Sequence, residues 1–278
     1  MKTFNLSLEV FPPKKQDDFD NAFELLKKFS ILDPSFISVT YGAGGSNSKK
    51  TVEIASYIQN ELHINTYAHL TCVGNTKENI DKVIMDLQRE HINSVLALRG
   101  DRPATMTDEE FNSCEFAHAT DLISYLKSKT HLHIAGACYP EKHFESKSME
   151  NDMEVLQKKA ELGTELFISQ LFFNNDVFYR FEEMVRRKGI QTPISAGIMP
   201  ITTSRQLGTT VSLSGSSVPK KLADLIAKYD DHPEDMRKAG IEYAVNQIED
   251  LKAHGQLDVH LYSMNKAKTT KEIYEAVM

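Results

Sequence analysis

Short apolar runs, rich in β-branched and aromatic residues, recur along the chain and predict β-strands. The segments between them carry apolar residues at helical spacing, as at Phe19, Phe23, Leu26 and Phe29. The chain therefore alternates between strand and helix. Eight strands are predicted, at residues 4–10, 36–40, 65–70, 94–98, 132–138, 166–171, 193–197 and 258–262.

The spacing of the predicted strands indicates how they are connected. Through the seventh strand, successive starts are 32, 29, 29, 38, 34 and 27 residues apart, the length of one strand–helix unit. The last interval of 65 residues must hold extra helices. Eight such units favour one α/β domain over residues 1–278, a closed (β/α)8 barrel of the TIM-barrel type. The competing open Rossmann sheet lacks its G-x-G-x-x-G motif after an early strand.

Composition narrows the classes of partner. The net charge is −7 and no long basic run is present, which argues against a nucleic-acid partner and favours a small molecule. No signal peptide is visible, and no apolar stretch approaches the roughly 18 residues of a membrane span, so we expect a cytoplasmic protein with no membrane partner. The three widely spaced cysteines form no C-x-x-C motif and predict neither disulfides nor a zinc site.

Polar side chains follow most of the predicted strands, at the end where barrels of this kind carry their active sites. Taken alone, each of them also fits a structural role, such as a rim carboxylate for Glu9 or a buried core histidine for His69. No serine triad, H-E-x-x-H motif, Walker A motif or metal-ligand cluster is visible. The set suits a bulky planar cofactor together with one carboxylic acid for proton transfer. Its members are Glu9, Thr40, His69, Arg99, Asp101, Tyr139 and Gln170.

Several of these residues lie in motifs that resemble, in order and spacing, those of the methylenetetrahydrofolate reductase family. The resemblance implies a barrel with noncovalent FAD that reduces 5,10-methylenetetrahydrofolate to 5-methyltetrahydrofolate for methionine synthesis. NADH or NADPH would reduce the flavin and leave before the folate enters, in a ping-pong sequence. The motifs are Leu8-Glu9-Val10-Phe11-Pro12-Pro13, Ser38-Val39-Thr40-Tyr41-Gly42-Ala43, His69-Leu70-Thr71-Cys72, Ala97-Leu98-Arg99-Gly100-Asp101, Tyr139-Pro140-Glu141-Lys142-His143, Gln170-Leu171-Phe172-Phe173, Gly197-Ile198-Met199-Pro200-Ile201 and His260-Leu261-Tyr262-Ser263-Met264-Asn265.

The resemblance also implies roles for individual residues. Glu9 matches the catalytic general acid, and Asp101 matches an aspartate that lies by the flavin pyrimidine and helps to bind the folate pterin. Substrate contacts fall on Glu9, Asp101, Gln170, Gln206 and Lys266. Cofactor contacts fall on Thr40, Tyr41, Ala43, His69, Arg99, Gly100, Asp101, Ala119, Tyr139, His143, Ser146, Asp152, Lys158 and Lys159.

The chain departs from the family pattern at several of these positions. Ser146 and Lys158 stand where relatives carry Ala and Arg, and Lys266 stands where well-known bacterial relatives carry Arg. A lysine keeps the charge for a glutamate carboxylate but cannot bind it bidentately. Residues 208–210, Gly-Thr-Thr, fall where relatives carry a helix with an aromatic residue that stacks on the nicotinamide.

The resemblance covers the barrel alone. We therefore expect no C-terminal regulatory domain and no inhibition by S-adenosylmethionine. Because relatives form dimers or tetramers, the resemblance also implies a homo-oligomer. Two other interpretations of the function remain open at this point. One is a different flavin barrel, such as a proline dehydrogenase-like oxidase of small amines, and the other is a barrel that has lost catalysis and serves as a binding subunit.

Overall fold

Eight parallel strands form the centre of the fold in the computed structural model, which describes residues 3–15, 18–41, 48–103 and 105–278. Their hydrogen-bonded order runs from β1 to β8 in sequence order and closes on itself. The predicted eight-stranded barrel is thus confirmed, and the open Rossmann sheet is excluded. The strands are β1 Asn5–Val10, β2 Ile37–Val39, β3 Thr66–Thr71, β4 Ser94–Leu98, β5 His133–Cys138, β6 Leu166–Ser169, β7 Ile194–Ile198 and β8 Asp258–Tyr262.

Helices follow the strands, and many begin at a residue whose side chain caps them. Thr76, Asn174 and Thr203 each accept a hydrogen bond from a backbone N–H of the first turn that follows. The long interval before β8 holds α8, α9 and α10, as its length predicts. The helices are α1 Phe19–Ser30, α2 Ser48–Ser56 with a π-helical turn Tyr57–Glu61, α3 Lys77–Arg89, α4 Asp108–Asn112, α5 Ala119–Lys129, α6 Met149–Glu161, α7 Asn175–Arg187, α8 Ser204–Ser214, α9 Lys220–Tyr229, α10 Pro233–Ala253 and α11 Ala267–Val277.

By backbone contacts the chain divides into two compact units. The first, here the N-terminal unit, comprises Leu8–Ala137 and Lys158–Phe167. In it β1 to β5 pair in parallel, with Glu9 opposite Ser38 and His69 opposite Leu96. The strands are buried on both faces, as expected of a parallel sheet covered by helices.

The second, here the C-terminal unit, comprises Met1–Ser7, Cys138–Gln157 and Ile168–Met278. Residues that follow β6 and β7 pack there against α9 and α10 in an apolar cluster that includes Leu171, Ile201 and Met236. Gly240 brings α10 against the backbone after β7, where any Cβ would overlap the carbonyl oxygen of Ile201. The start of the β7–α8 connection is therefore fixed by direct backbone contact.

Among the helices described, none combines the length and the apolar composition that crossing a bilayer requires.

Candidate active site

Glu9 and His69 are brought together in the N-terminal unit by β1 and β3. The Glu9 Oε2 and His69 Nε2 atoms are 3.7 Å apart, and the exposed fractions of the two side chains are 22% and 7%. Burial raises the pKa of Glu9 from 4.5 to about 8 and lowers that of His69 from 6.5 to about 3. Desolvation thus outweighs the attraction that an ion pair would gain, and both groups are neutral at pH 7.

His69 also leaves a hydrogen-bonding atom unused. Its buried Nε2 has no hydrogen-bond partner within the described part of the chain. An unsatisfied buried polar atom lowers the stability of the fold by about 1–3 kcal/mol, so such atoms commonly bind a ligand or a water. The side chain therefore offers one ready contact to a molecule bound beside Glu9.

The turn after β4 brings backbone close to the end of β3. Gly100 has a φ of +84°, and a Cβ there would lie 2.8 Å from the Thr71 Cβ atom. The Arg99 carbonyl accepts hydrogen bonds from the Cys72 and Val73 backbones, which holds the turn in place. The Arg99 guanidinium lies 5.9 Å from the centre of the Phe111 ring. Asp101, the next residue of this turn, is exposed.

Thr40 and Tyr41 follow β2 in the same unit. The Thr40 N–H donates to the Val10 carbonyl over 2.9 Å, and the Thr51 hydroxyl donates to the Thr40 carbonyl over 2.9 Å. Burial raises the pKa of the half-buried Tyr41 phenol, whose hydrogen bonds to Ser48 and Asn75 act in the opposite direction. Ala43 lies outside the described residues.

Two neighbouring lysines of α6 have opposite surroundings. Lys159 is buried, and its Nζ donates to the carbonyl of Ala137, on β5, over 2.8 Å. Lys158 is exposed. The Lys159 ammonium is therefore directed toward β5, whereas Lys158 faces solvent. Ala119 is the buried first residue of α5.

In the C-terminal unit, the β5–α6 connection holds the next group of predicted site residues. The Tyr139 and His143 rings meet edge to face with centroids 4.7 Å apart. The Asp152 carboxylate accepts a hydrogen bond from the His143 backbone over 3.2 Å. Lys142 donates to the carbonyls of His143 and Ser146 and so closes the loop on itself. The loop is thus ordered by its own hydrogen bonds.

Gln170, Gln206 and Lys266 lie after β6, in α8 and before α11 of the same unit. The Gln170 side chain accepts a hydrogen bond from the Leu171 backbone over 2.9 Å. Gln206 and Lys266 both bond to the hydroxyl of Thr202, which joins them. Sequence reasoning missed Thr202, although a hydroxyl residue shortly after the seventh strand is itself a signal. Residues 208–210 belong to α8, where the Thr210 hydroxyl lies 3.4 Å from the Met199 sulfur.

These features define a class of protein: a closed (β/α)8 barrel whose first strand carries a carboxylic acid that keeps its proton at neutral pH. Comparison with known proteins specifies the family. The family model for methylenetetrahydrofolate reductase matches residues 1–278, and the chain belongs to that family.

Curated relatives agree with this assignment. The 5,10-methylenetetrahydrofolate reductase of Pectobacterium carotovorum is 30% identical over 97% of this chain and 88% of its own length. Methylenetetrahydrofolate reductase (NADH) 1 of Arabidopsis thaliana is 34% identical over 95% of this chain. The match spans only 46% of the Arabidopsis protein, so the chain covers about half the length of the plant relatives.

A solved structure supports the fold. An uncharacterized protein from Clostridium thermocellum that binds two copies of 5-methyl-5,6,7,8-tetrahydrofolic acid superposes with a TM-score of 0.66. The two chains are 14% identical, and the match covers 99% of this chain and 94% of the other. At that identity the likeness shows a shared barrel architecture.

Proposed function

We propose that this protein reduces 5,10-methylenetetrahydrofolate to 5-methyltetrahydrofolate with NADH or NADPH through noncovalently bound FAD. Family membership and the names of its relatives support the reaction. The observation that carries the proposal is the neutral Glu9 carboxyl beside the neutral His69 imidazole, since the resemblance gives Glu9 the role of a general acid and such an acid must keep its proton near pH 7.

The chemistry of the described residues fits a flavin dinucleotide. His69 offers a buried nitrogen that has no hydrogen-bond partner among the described residues, and Gly100 lets the backbone approach where a side chain has no room. Lys159 supplies a buried cation of the kind that a diphosphate requires. When bound, FAD would take up the hydride of the nicotinamide and pass it to the folate. Further contacts to FAD are proposed for Thr40, Tyr41, Arg99, Asp101, Ala119, Tyr139, His143, Ser146 and Asp152.

Glu9 is proposed to act as the general acid. The opening of the five-membered ring of the substrate leaves a nitrogen that needs a proton, and a carboxyl with a pKa of about 8 still carries one at pH 7. The neutral His69 does not compete for that proton, because burial disfavours its charged form. The folate step should therefore slow as the pH rises through about 8.

The remaining proposed substrate contacts are Asp101, Gln170, Gln206 and Lys266. Amide side chains and an ammonium suit the pterin, carbonyl and carboxylate groups of a folate, which are rich in hydrogen-bond acceptors. Asp101 would accept hydrogen bonds from the pterin N–H groups. We further propose a cytoplasmic homo-oligomer, dimer or tetramer, that supplies methyl groups for methionine synthesis.

Visible absorption spectra of the purified protein, recorded in a single cuvette, test the proposal. Purified protein should show a flavin spectrum, bleach anaerobically with NADH or NADPH, and regain its colour when methylenetetrahydrofolate is added. Glu9→Gln should still bleach with the nicotinamide but fail to regain colour with the folate. A protein that oxidises proline and not methyltetrahydrofolate would instead be a different flavin barrel. A protein that binds no flavin after reconstitution with FAD would be a binding subunit.

A further inference from the structure

Thr202 lies where the chain leaves β7 and is 4% exposed. Its hydroxyl accepts a hydrogen bond from Lys266 Nζ over 2.8 Å and donates one to Gln206 Oε1 over 3.1 Å. The buried Thr202 hydroxyl thereby joins Gln206 to Lys266, which lies 64 positions after Thr202 in sequence.

The directions of these hydrogen bonds are fixed by chemistry. The Thr202 backbone N–H also donates to Gln206 Oε1, over 3.1 Å, so that atom must be the amide oxygen. The amide nitrogen then donates one of its hydrogens to the Pro200 carbonyl over 2.9 Å. A lysine ammonium can only donate. The Thr202 hydroxyl must therefore accept from Lys266 and give its own hydrogen to Gln206.

This arrangement leaves hydrogen-bond donors for a ligand. The Gln206 oxygen already accepts two hydrogen bonds. Among the residues that the structure describes, the Gln206 nitrogen keeps one unused N–H and the Lys266 ammonium keeps two. Thr202 itself is buried. A ligand that meets Gln206 and Lys266 must therefore present acceptor atoms, and a carboxylate presents the most.

Two structural features hold the network in place. Met264 and Asn265, directly before Lys266, both have positive φ values, 50° and 53°. Such a conformation is unfavourable for methionine, whose Cβ crowds the backbone at positive φ. On the other side, Gly240 of α10 lets that helix press against the Ile201 carbonyl, next to Thr202. The backbone is therefore constrained on both sides of the hydrogen bond between Thr202 and Lys266.

Resting on the function proposed above, we propose that Thr202 is a positioning residue of the substrate site. Its hydroxyl orients the Gln206 amide and the Lys266 ammonium so that they present only donors, which selects substrates bearing the glutamate carboxylate of a folate.

The test compares 5-methyltetrahydrofolate with the matching pteroate, which lacks the glutamate, as substrates oxidised with an artificial electron acceptor. In the wild type the pteroate should show the higher KM. Thr202→Val should raise the KM for the folate about tenfold, the effect of losing one hydrogen bond to a charged group, and leave the KM for the pteroate unchanged. Thr202→Ser restores the hydroxyl and should recover the wild-type preference.

Lys266→Met provides a second route, since the residue is exposed and its replacement should not affect folding. If Thr202 acts through Lys266, adding Thr202→Val to Lys266→Met should change the KM for the folate little further. Thr130→Val is a matched control that removes a hydroxyl with two hydrogen bonds at the end of α5, and it should keep the preference for glutamate.

The outcomes separate the two proposals. A Thr202→Val enzyme that keeps its preference for the folate, or that loses affinity for both substrates alike, overturns the role of Thr202 and leaves the proposed reaction intact. A wild-type enzyme that oxidises neither substrate overturns the proposed function, and this inference with it.

Discussion

Replacing Glu9 with glutamine keeps the shape of the side chain and removes its ionisation, which makes the energetic cost of the buried carboxyl measurable. Burial raises the pKa of Glu9 from 4.5 to about 8, and one pKa unit corresponds to about 1.4 kcal/mol. Since the folded-state pKa is the higher one, the folded protein keeps the proton more tightly than the unfolded chain does. The contribution of Glu9 to stability is full below pH 4.5 and is lost as the pH rises through 8.

The magnitude follows from these two pKa values. Relative to a side chain that never ionises, Glu9 should lower the free energy of unfolding by about 1 kcal/mol at pH 5 and by about 4 kcal/mol at pH 8. Glu9→Gln lacks this penalty. The difference in unfolding free energy between the variant and the wild type should therefore grow by about 3–4 kcal/mol over that range, in favour of the variant.

Urea unfolding of both proteins at pH 5, 6.5 and 8, each freed of bound ligand, measures this difference. Glu24→Gln is the matched control, because Glu24 is an exposed carboxylate whose pKa is lowered by its hydrogen bond to Lys27. Its stability difference should not grow in the variant's favour as the pH rises. A pH-independent difference for Glu9→Gln would refute the reasoning, because it would mean that Glu9 ionises as readily in the folded protein as in the unfolded chain.

Further substitutions test the packing and the proposed cofactor contacts. Gly240→Ala should cost about 1–3 kcal/mol by thermal unfolding, because the new methyl group overlaps the Ile201 carbonyl, whereas Gly208→Ala meets open space and should leave stability equal or higher. Lys159→Met should weaken FAD binding at least about tenfold in a fluorescence titration, since a buried cation is lost. Asp101→Asn should raise the flavin reduction potential, because removing a negative charge favours the anionic reduced form; an unchanged potential contradicts this role.

Much of the fold could be predicted from the sequence because its signals are local. In the sequence, a strand buried on both faces appears as a continuous run of apolar residues. A helix packed on such a strand appears as apolar residues at helical spacing. The fourth strand was placed at residues 94–98 and the eighth at 258–262, as the structure has them. The sixth strand was placed two residues too long, since the apolar residues Leu171, Phe172 and Phe173 follow shortly after the strand ends at Ser169.

The candidate site was less accessible to such reasoning. The motifs placed Glu9 and His69 at strand ends, but Thr202 lies one residue beyond the motif that ends at Ile201 and was missed. Lys158 and Lys159 are adjacent and identical in sequence terms, yet one is exposed and the other buried. Which of two neighbouring lysines faces the interior depends on how α6 is rotated against the strands.

The sequence by itself therefore determined the alternation of strands and helices, the closed barrel and the residue types at the strand ends. These features depend on the local spacing of apolar and polar residues along the chain. The tertiary structure decided the protonation of Glu9 and the hydrogen bonds that Thr202 makes to Gln206 and Lys266. Desolvation and hydrogen-bond direction depend on atoms brought together from distant parts of the chain, and only folding sets those distances.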